Sequence, residues 1–352
     1  MLMKFPRILL FPLSLVYHLI TQIRNWLYDE NIIKSFNLEL PVISLGNLTV
    51  GGTGKTPMVE YLIRLLKDQY NIVTLSRGYK RKTKGLIIAA DDDSAITLGD
   101  EPAQFYSKYG QEIGVAVCED RIFAIPYILK SRPQTNLILL DDAFQHRQIK
   151  PTCNILLTDY YRPFYHDWLL PAGNLREARR NAERADVVIV TKCPPELSNS
   201  KYESIKNAIR KYTGKDISVF FTHIHYDEPI PAFNKHLSIK KNIILVSGIA
   251  QPKPLLNYIQ HQFHLVQHFV FPDHHYYTSE DIRKIIECYQ DYIKSESSIL
   301  FTEKDIMRII KTKLQDILMD YPVFFQPITY KFVQNGSEFD YFIRKVIDKT
   351  ED

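Results

Sequence analysis

Apolar runs and amphipathic stretches alternate along the first two thirds of the chain. Continuous apolar runs, which are typical of strands buried on both faces, cover Val42–Leu45, Ile72–Ser76, Ile113–Val117, Leu137–Leu140, Ile155–Thr158 and Val187–Thr191. Helical spacing of apolar residues covers Pro57–Lys67, Glu101–Tyr109, Arg121–Lys130 and Glu177–Arg184. This alternation predicts an α/β fold with a mainly parallel sheet and helices on both faces.

A second series of elements begins near residue 215. Strands are predicted at Val219–Ile224, Ile243–Ser247, Val266–Phe271 and Ser298–Thr302, and helices at Pro254–His261, Asp281–Tyr292 and Lys304–Lys311. We therefore expect an N-terminal helix over 1–30, a core domain over 31–215 and a smaller α/β domain over 216–352. Linker strands and the final helix, from Val323–Phe332 and Phe339–Ile347, are expected to return to the core.

The run GNLTVGGTGKT at 46–56 lies between a predicted strand and a predicted helix. Glycines let backbone N–H groups close around an anion, and the helix start adds its positive dipole end. The predicted phosphate-binding loop comprises Gly51, Gly52, Thr53 and Gly54. Lys55 would reach the β/γ-phosphates and Thr56 would bind Mg²⁺. Because Thr49 stands where the strict motif has Gly, a glycine-rich turn with a chance Gly-Lys-Thr is the alternative.

Ligands of parallel sheets bind at the carboxyl ends of the strands. Asp141 and Asp142 end the apolar run Leu137–Leu140, at a place where a carboxylate serves Mg²⁺ directly or through water. Neighbouring residues on an extended chain face opposite sides, so one of the two is expected at the metal. A solvated turn is the alternative.

Cations follow the second predicted strand of the chain, Ile72–Ser76. Arg77 and Tyr79 open the segment SRGYKRK at 76–82, and an anionic substrate is the natural partner of such a segment. A solvated basic loop is the alternative.

The composition of the whole chain adds little, because a net charge of +4 gives no reason to expect nucleic acid binding.

Three other motifs carry candidate chemistry. Asp100 in GDEP is either a helix N-cap or a carboxylate that accepts a proton from a substrate hydroxyl. Arg176 and Glu177 follow LLPAGNL at a predicted helix start, where both are candidate site residues. An ordinary helix N-terminus is the alternative interpretation of this segment. His274, next to a second histidine, lacks a third zinc ligand at a recognisable spacing. It is expected to orient a catalytic carboxylate or to share its proton, with a structural loop as the alternative.

The first thirty residues are strongly apolar but interrupted. Phe5–Ile23 falls short of a spanning helix, and it lacks a small-residue cleavage site for a signal peptide. Basic residues flank it and Trp26 follows, which favours an amphipathic helix in a membrane interface. A core-packed first helix is the alternative.

The four cysteines form no C-x-x-C pair, a pattern that suits a reducing compartment.

Together these stretches resemble the tetraacyldisaccharide 4'-kinase family, the lipid A 4'-kinases of Gram-negative bacteria, over nearly the whole chain. The matching segments are GNLTVGGTGKTP at 46–57, SRGY at 76–79, GDEP at 99–102, DR at 120–121, DDAFQH at 141–146, LLPAGNLRE at 169–177, SGIAQP at 247–252, FPDHH at 271–275 and TEKD at 302–305. Ala143 and Lys80 stand where the family commonly has Gly, and neither removes a functional group.

The resemblance implies a P-loop NTPase-like core that uses ATP and Mg²⁺ to phosphorylate the 4'-hydroxyl of tetraacyldisaccharide 1-phosphate, giving lipid IVA. It also implies a peripheral location on the cytoplasmic face of the inner membrane, with an acylated glycolipid as acceptor. No obligate protein partner is evident. A membrane-associated P-loop nucleotide switch and a soluble P-loop kinase or ligase acting on a small acid remain as alternatives.

The resemblance also assigns roles by motif. Lys55 and Thr56 hold phosphates and Mg²⁺, with Asp141, Asp142 and Glu177 near the metal. Asp100 on the first domain and His274 on the second form the pair that deprotonates the acceptor. The residues implied for the phosphate and acceptor region are Arg77, Tyr79, Arg121, Gln145, His146 and Arg176.

Overall fold

The computed structural model describes residues 7, 9–214, 216–292 and 296–348 of the chain. Lys4 and Phe5 of the predicted N-terminal segment thus lie outside the described residues. The chain divides into two compact units. Unit 1 comprises Met1–Arg77, Glu112–Ile224 and Tyr330–Asp352, and unit 2 comprises Gly78–Gln111 and His225–Thr329.

Unit 1 is built on a sheet whose central strand is β1 (Val42–Asn47), a fully buried apolar strand. The other strands are β2 (Ile72–Ser76), β4 (Gly114–Val117), β5 (Leu137–Asp141), β6 (Cys153–Asp159), β7 (Val187–Thr191), β8 (Ser218–Tyr226) and β14 (Ile328–Phe332). They lie in the order β14-β8-β7-β6-β1-β5-β2-β4, and the pairings from β8 to β4 are parallel. Leu45 pairs with Asp141, so the carboxyl ends of β1 and β5 lie side by side.

The helices of unit 1 connect these strands. They are α1 (Phe11–Asp29), α2 (Lys55–Leu66), α5 (Arg121–Ser131), α6 (Asn199–Thr213) and α11 (Gly336–Asp348), with 3₁₀ helices at Phe164–His166 and Arg179–Arg184. A core of buried side chains that includes Phe144, Leu156 and Phe221 packs on the sheet. Asp120 caps α5 by accepting a hydrogen bond from the backbone N–H of Phe123 at 3.0 Å.

Unit 2 contains a smaller sheet in the order β11-β10-β12-β13-β9, formed by β9 (Ile230–Pro231), β10 (Asn242–Ser247), β11 (His264–Val270), β12 (Ser297–Thr302) and β13 (Val323–Gln326). The pairings are parallel except for β13 with β9. Its further elements are β3 (Ile87–Ile88), α3 (Ala95–Leu98), α4 (Asp100–Tyr109), α7 (Lys253–Gln262), α8 (Ser279–Asp291), α9 (Glu303–Met307) and α10 (Lys313–Leu318). Buried clusters around Phe301 and Phe324 form its core.

Two predicted helices and one predicted position differ from the structure. The helix predicted at Glu177–Arg184 is wrong, because Ala178 leaves the helical region (ψ 146°) and only a 3₁₀ helix follows. The helix predicted at Lys304–Lys311 is shorter, since α9 ends at Met307. Asp100 was expected on a different domain from His274, but Gly78–Gln111 belongs to unit 2, so both residues lie in the same unit.

Helix α1 has an inverted distribution of polar and apolar side chains. Its buried residues are Ser14, Asn25 and Tyr28. Its exposed apolar residues are Leu15, Val16, Leu19, Ile20, Ile23 and Trp26, each about half or more exposed. A surface helix of a globular protein normally buries its apolar stripe, so the exposed stripe calls for another apolar environment. Among the described residues, no helix is both long and apolar enough to cross a membrane.

Candidate active site

The loop between β1 and α2 has the backbone of a phosphate cradle. Gly51 and Gly54 have positive φ angles of 101° and 81°, which side chains rarely tolerate. Gly54 is the residue before α2, so free N–H groups and the positive end of the helix dipole face this loop. A Cβ atom on Gly54 would lie 1.6 Å from Oη of Tyr330. Only glycine fits there, and the backbone stays open to an anion.

Lys55 lies among acceptors at the end of this loop. Its Nζ is 3.3 Å from Oδ1 of Asn47 and 3.4 Å from Oδ1 of Asp142. Thr56 follows and is buried, as is Thr53. The lysine is thus already held at the mouth of the loop, where it can neutralise the charge of a bound phosphate.

The two carboxylates at the end of β5 differ in backbone conformation. Asp141 is the last strand residue, whereas Asp142 has a left-handed φ of 47°. The premise that both lie on an extended chain is therefore wrong. Nη1 of Arg176 donates to Oδ1 of Asp142 at 2.9 Å. Burial alone would raise the pKa of Asp142, but Lys55 and Arg176 hold that pKa below its ordinary value.

Gln145, Arg121 and His146 adjoin this carboxylate pair. Nε2 of Gln145 donates to the carbonyl of Asn47 at 2.9 Å, and Nη2 of Arg121 donates to the carbonyl of Asp141 at 2.9 Å. Burial and the charge of Arg121 lower the pKa of His146 to about 4. The imidazole of His146 is therefore neutral rather than cationic at physiological pH.

The oxygen donors at this edge suit a magnesium ion that binds together with nucleotide. Asp142 contacts Lys55 and Arg176, and the buried Asp141 carboxylate and the buried Thr56 hydroxyl are further oxygen donors of the kind that Mg²⁺ takes. Mg²⁺ in phosphate-loop enzymes takes such a hydroxyl and carboxylate, with phosphate oxygens and water completing its shell. The described residues contain no group of three or more His, Cys, Asp or Glu that could hold a metal alone.

Glu177 makes contacts away from this donor set. Its Oε2 accepts from Nδ2 of Asn25 at 2.9 Å, from Nδ2 of Asn181 at 2.8 Å and from Nη2 of Arg184 at 2.9 Å. The side chain is 2% exposed. The structure thus uses the Glu177 carboxylate to join α1 to the segment that carries Arg176, and the metal role stays a prediction.

Unit 2 brings Asp100 and His274 together. Nδ1 of His274 lies 2.7 Å from Oδ2 of Asp100, and Nε and Nη2 of Arg308 donate to the same oxygen at 3.0 and 2.7 Å. Burial would raise the pKa of Asp100, but the hydrogen bonds from His274 and Arg308 lower it to about 2. Asp100 is therefore ionised, and Nδ1 of His274 must carry the proton in their hydrogen bond.

Arg77 and Tyr79 both follow β2, but they belong to different units, because unit 2 begins at Gly78. Arg77 belongs to unit 1 and is exposed. Tyr79 belongs to unit 2, is 63% exposed, and its ring centroid lies 5.8 Å from that of His274. Tyr79 is thus available at the Asp100–His274 pair.

Comparison with known proteins shows which family this chain resembles. Residues 6–348 match the family model described as LpxK, tetraacyldisaccharide-1-P 4'-kinase. The chain belongs to this family. The tetraacyldisaccharide 4'-kinase of Flavobacterium psychrophilum is 44% identical over an alignment of 353 positions, which covers 99% of this chain and 98% of that protein. The enzyme of the same name from Flavobacterium johnsoniae is 42% identical over 349 residues, which is 98% of each chain.

A solved structure is also similar over almost its whole length. LpxK from Aquifex aeolicus, determined in complex with ATP, shares 28% identity and a TM-score of 0.73, covering 97% of this chain and 99% of that one. The family resemblance and the α/β P-loop fold class predicted from the sequence are confirmed. The roles of the individual site residues stay predictions.

Sequence reasoning missed three residues that shape the sites. Asn47 accepts hydrogen bonds from Lys55 on its Oδ1 and from Gln145 on its backbone carbonyl. Tyr330 packs against Gly54. Arg308 donates hydrogen bonds to Asp100. Asn47 stands inside the matching segment at 46–57, which was a usable signal. Arg308 lies three residues beyond the TEKD segment, and Tyr330 lies in no quoted motif.

Proposed function

We propose that this chain transfers the γ-phosphoryl group of ATP to the 4'-hydroxyl of tetraacyldisaccharide 1-phosphate, giving lipid IVA. One observation carries the proposal: the family match over residues 6–348 includes both the phosphate loop of unit 1 and the Asp100–His274 pair of unit 2. The ATP bound by the similar Aquifex aeolicus protein supports ATP as the phosphoryl donor. The match favours this reading over the nucleotide switch and the small-acid kinase or ligase.

Unit 1 supplies the nucleotide site in this proposal. The backbone of Gly51–Gly54 and the start of α2 hold the phosphates, and Lys55 neutralises the charge that develops on the transferred group. Asp142 and Arg176 keep the lysine in place, because the three side chains form one chain of contacts. Thr56 and Asp141 would hold Mg²⁺, which would supply positive charge to offset the charge of the phosphates.

Unit 2 supplies the group that deprotonates the acceptor. Asp100 already accepts three hydrogen bonds on Oδ2, and such a carboxylate is a weak base. With Nδ1 of His274 donating to Asp100, Nε2 is the nitrogen with a free lone pair. We assign Nε2 of His274 as the atom that takes the hydroxyl proton, with Asp100 orienting the imidazole and stabilising its charged form.

The membrane surface is the proposed environment of α1. Leu15, Leu19 and Ile20 form part of its exposed apolar stripe, while its polar side contacts unit 1: Oη of Tyr17 donates to the carbonyl of Arg176 at 2.8 Å. A helix with this arrangement can lie in a bilayer interface. The acylated acceptor resides in a bilayer and ATP is cytoplasmic, so we place the enzyme peripherally at the cytoplasmic face of the inner membrane.

Acceptor-dependent ADP release tests the proposal. Purified enzyme is mixed with ATP, Mg²⁺ and detergent-solubilised tetraacyldisaccharide 1-phosphate, with parallel reactions that contain detergent alone or a panel of small carboxylic acids. We expect ADP only with the lipid, together with a product that has gained one phosphate by mass spectrometry. ADP release without any acceptor would favour a nucleotide switch, and release with a small acid would favour a soluble kinase or ligase.

A further inference from the structure

Arg308 contacts Asp100 directly and is linked to His274 through a backbone carbonyl that both residues share. Its Nε and Nη2 donate to Oδ2 of Asp100, and its Nη1 donates to the carbonyl of Gly248 at 3.3 Å. That same carbonyl accepts the backbone N–H of His274 at 3.3 Å. We propose that Arg308 is a positioning residue for proton transfer, fixing the carboxylate and the imidazole in one geometry. This inference rests on the proposed kinase function.

The guanidinium is itself held on its far side. Nη1 of Arg308 donates to Oδ1 of Asp305 at 2.6 Å, and both side chains are almost fully buried, at 2% and 0% exposed. Oδ2 of Asp305 accepts from the backbone N–H of Gly248 at 2.8 Å and from the Thr302 hydroxyl. Because the planar guanidinium is hydrogen-bonded along two edges, it has little freedom to rotate.

The backbone around His274 agrees with a site that is held in place. His274 has a left-handed φ of 62°, which costs free energy for a residue other than glycine and persists where the surroundings enforce it. A Cβ atom on Gly248 would lie 2.8 Å from Oδ1 of Asp305, so a glycine is needed where the loop passes this carboxylate. The backbone that supports His274 and the anchor of Arg308 are therefore the same loop.

The charge of Arg308 has a chemical consequence. A buried carboxylate without a partner takes up a proton or moves toward water. A neutral Asp100 would be a weaker acceptor for Nδ1 of His274, and its new O–H could compete as a donor, so the imidazole would be held less firmly. Lys304 and Glu101 also act electrostatically on Asp100, and they pair with each other at 2.6 Å. On the other side of the imidazole, Oδ1 of Asp273 lies 3.9 Å from Nε2 of His274. Arg308 thus keeps Asp100 ionised so that it can orient His274.

A purely structural ion pair between α4 and the α9 region is the competing explanation. The chain contains a matched control for it, because Lys108 of α4 and Glu303 of α9 also form an ion pair, at 2.8 Å. Lys108→Met removes a charge between the same elements without touching Asp100 or His274. Arg308→Met removes both the charge and the paired N–H donors that contact Asp100. Arg308→Lys keeps the charge but cannot donate from two fixed nitrogens of one planar group.

The experiment measures kcat and KM for both substrates, the pH dependence of kcat, and thermal unfolding for the four full-length proteins and for Asp305→Asn. We expect kcat to fall by about two decades in Arg308→Met and by about one decade in Arg308→Lys and Asp305→Asn, with KM for ATP within about twofold of wild type. Lys108→Met should keep kcat within about twofold. Without the cation the pair holds a proton more firmly, so the acidic limb of the pH profile should move to higher pH in Arg308→Met alone.

Each outcome separates the inference from the proposed function. Active wild type together with a folded Arg308→Met that keeps the wild-type kcat and pH profile overturns the inference alone. Equal losses in Arg308→Met and Lys108→Met, with unmoved pH profiles, would make Arg308 structural. If Arg308→Met does not fold, Arg308→Lys and Asp305→Asn decide through their kcat. Wild type that cannot phosphorylate the lipid overturns the proposed function itself.

Discussion

Asn25 and Glu177 are hydrogen-bonded in the interior of unit 1, with Nδ2 of Asn25 donating to Oε2 of Glu177 over 2.9 Å. Asn25 belongs to α1, whose opposite side carries the exposed apolar stripe. Glu177 follows Arg176, whose guanidinium contacts Asp142 beside Lys55. One helix therefore connects the proposed bilayer surface with the side chains that border the phosphate loop.

Asn25→Ala should loosen this connection. Glu177 would keep Asn181 and Arg184 but lose one buried hydrogen bond, so the free energy of unfolding should fall by about 1–3 kcal/mol. Because Arg176 adjoins Glu177, we expect kcat for lipid to fall by roughly three- to tenfold while the Kd for ATP changes little. Denaturant unfolding and steady-state kinetics measure both. Thr21→Ala, which removes only hydrogen bonds to the carbonyls of Tyr17 and His18 within α1, is the control; an equal kinetic effect of Thr21→Ala would contradict the prediction.

Lys55→Met should nearly abolish phosphoryl transfer while the fold persists. Loss of one charged contact to the transferred group commonly costs several kcal/mol, which is about two to three decades in rate. Single-turnover kinetics and circular dichroism measure the two parts of this prediction. Lys206→Ala, at a partly exposed α6 residue whose Nζ pairs with Glu203, should behave like wild type. A Lys55→Met enzyme that turns over at the wild-type rate would remove the kinase assignment.

Replacing Leu19 and Ile20 by serine should weaken membrane binding. Both side chains are about 60% exposed, so the substitutions alter the apolar stripe without creating a cavity. Each side chain that enters the bilayer contributes about 1.5–3 kcal/mol of transfer free energy, which the serine variants would lose. Co-sedimentation with anionic liposomes measures the effect, and nucleotide affinity should be unchanged. Tyr341→Ser, on the exposed side of α11, is the control. Deleting Met1–Gln22 is a less clean test, because it also removes the Tyr17 hydrogen bond to unit 1.

Gly54→Ala should prevent nucleotide binding. The new Cβ would collide with Oη of Tyr330 at 1.6 Å, on a backbone with φ of 81°, so either Tyr330 or the loop must move. Gly85→Ala has a similar φ of 78° with open space around its Cβ, and it isolates the conformational strain of about 1 kcal/mol. Isothermal titration with ATP compares the two. Normal ATP affinity of Gly54→Ala would show that the cradle tolerates rearrangement.

His146 should make the fold sensitive to mild acid. Burial lowers its pKa to about 4 in the folded chain, while the unfolded chain binds the proton with a pKa of about 6.5. The unfolded state therefore binds more protons between these values, and the stability present above pH 6.5 is lost as pH falls toward about 4. His146→Gln should flatten the slope of unfolding free energy against pH in that window. His236→Gln, at an exposed histidine, should leave the slope unchanged, and an unchanged slope in His146→Gln would contradict the assignment.

Local patterns were enough to predict much of unit 1. The fully buried strands of the parallel sheet show as continuous apolar runs, and the loop at Gly51–Gly54 shows as glycines between a strand and a helix. Since parallel strands place their carboxyl ends along one edge, the sequence pointed to the residues just after each strand as the site. The structure places Nζ of Lys55 3.4 Å from Oδ1 of Asp142. Such features depend on periodicity and on residue type within about ten positions, which a sequence displays directly.

Only the tertiary structure decided which distant side chains meet. Arg308 and Asp100 are 208 positions apart, and Asn25 and Glu177 are 152 apart; no local pattern pairs them. The sequence also placed Asp100 and His274 on different domains, whereas the chain path puts them in one unit. The reason is physical: a strand or helix is specified by its own residues, but the partner of a buried charge is chosen by whichever segments the packing of the whole chain brings within hydrogen-bonding distance.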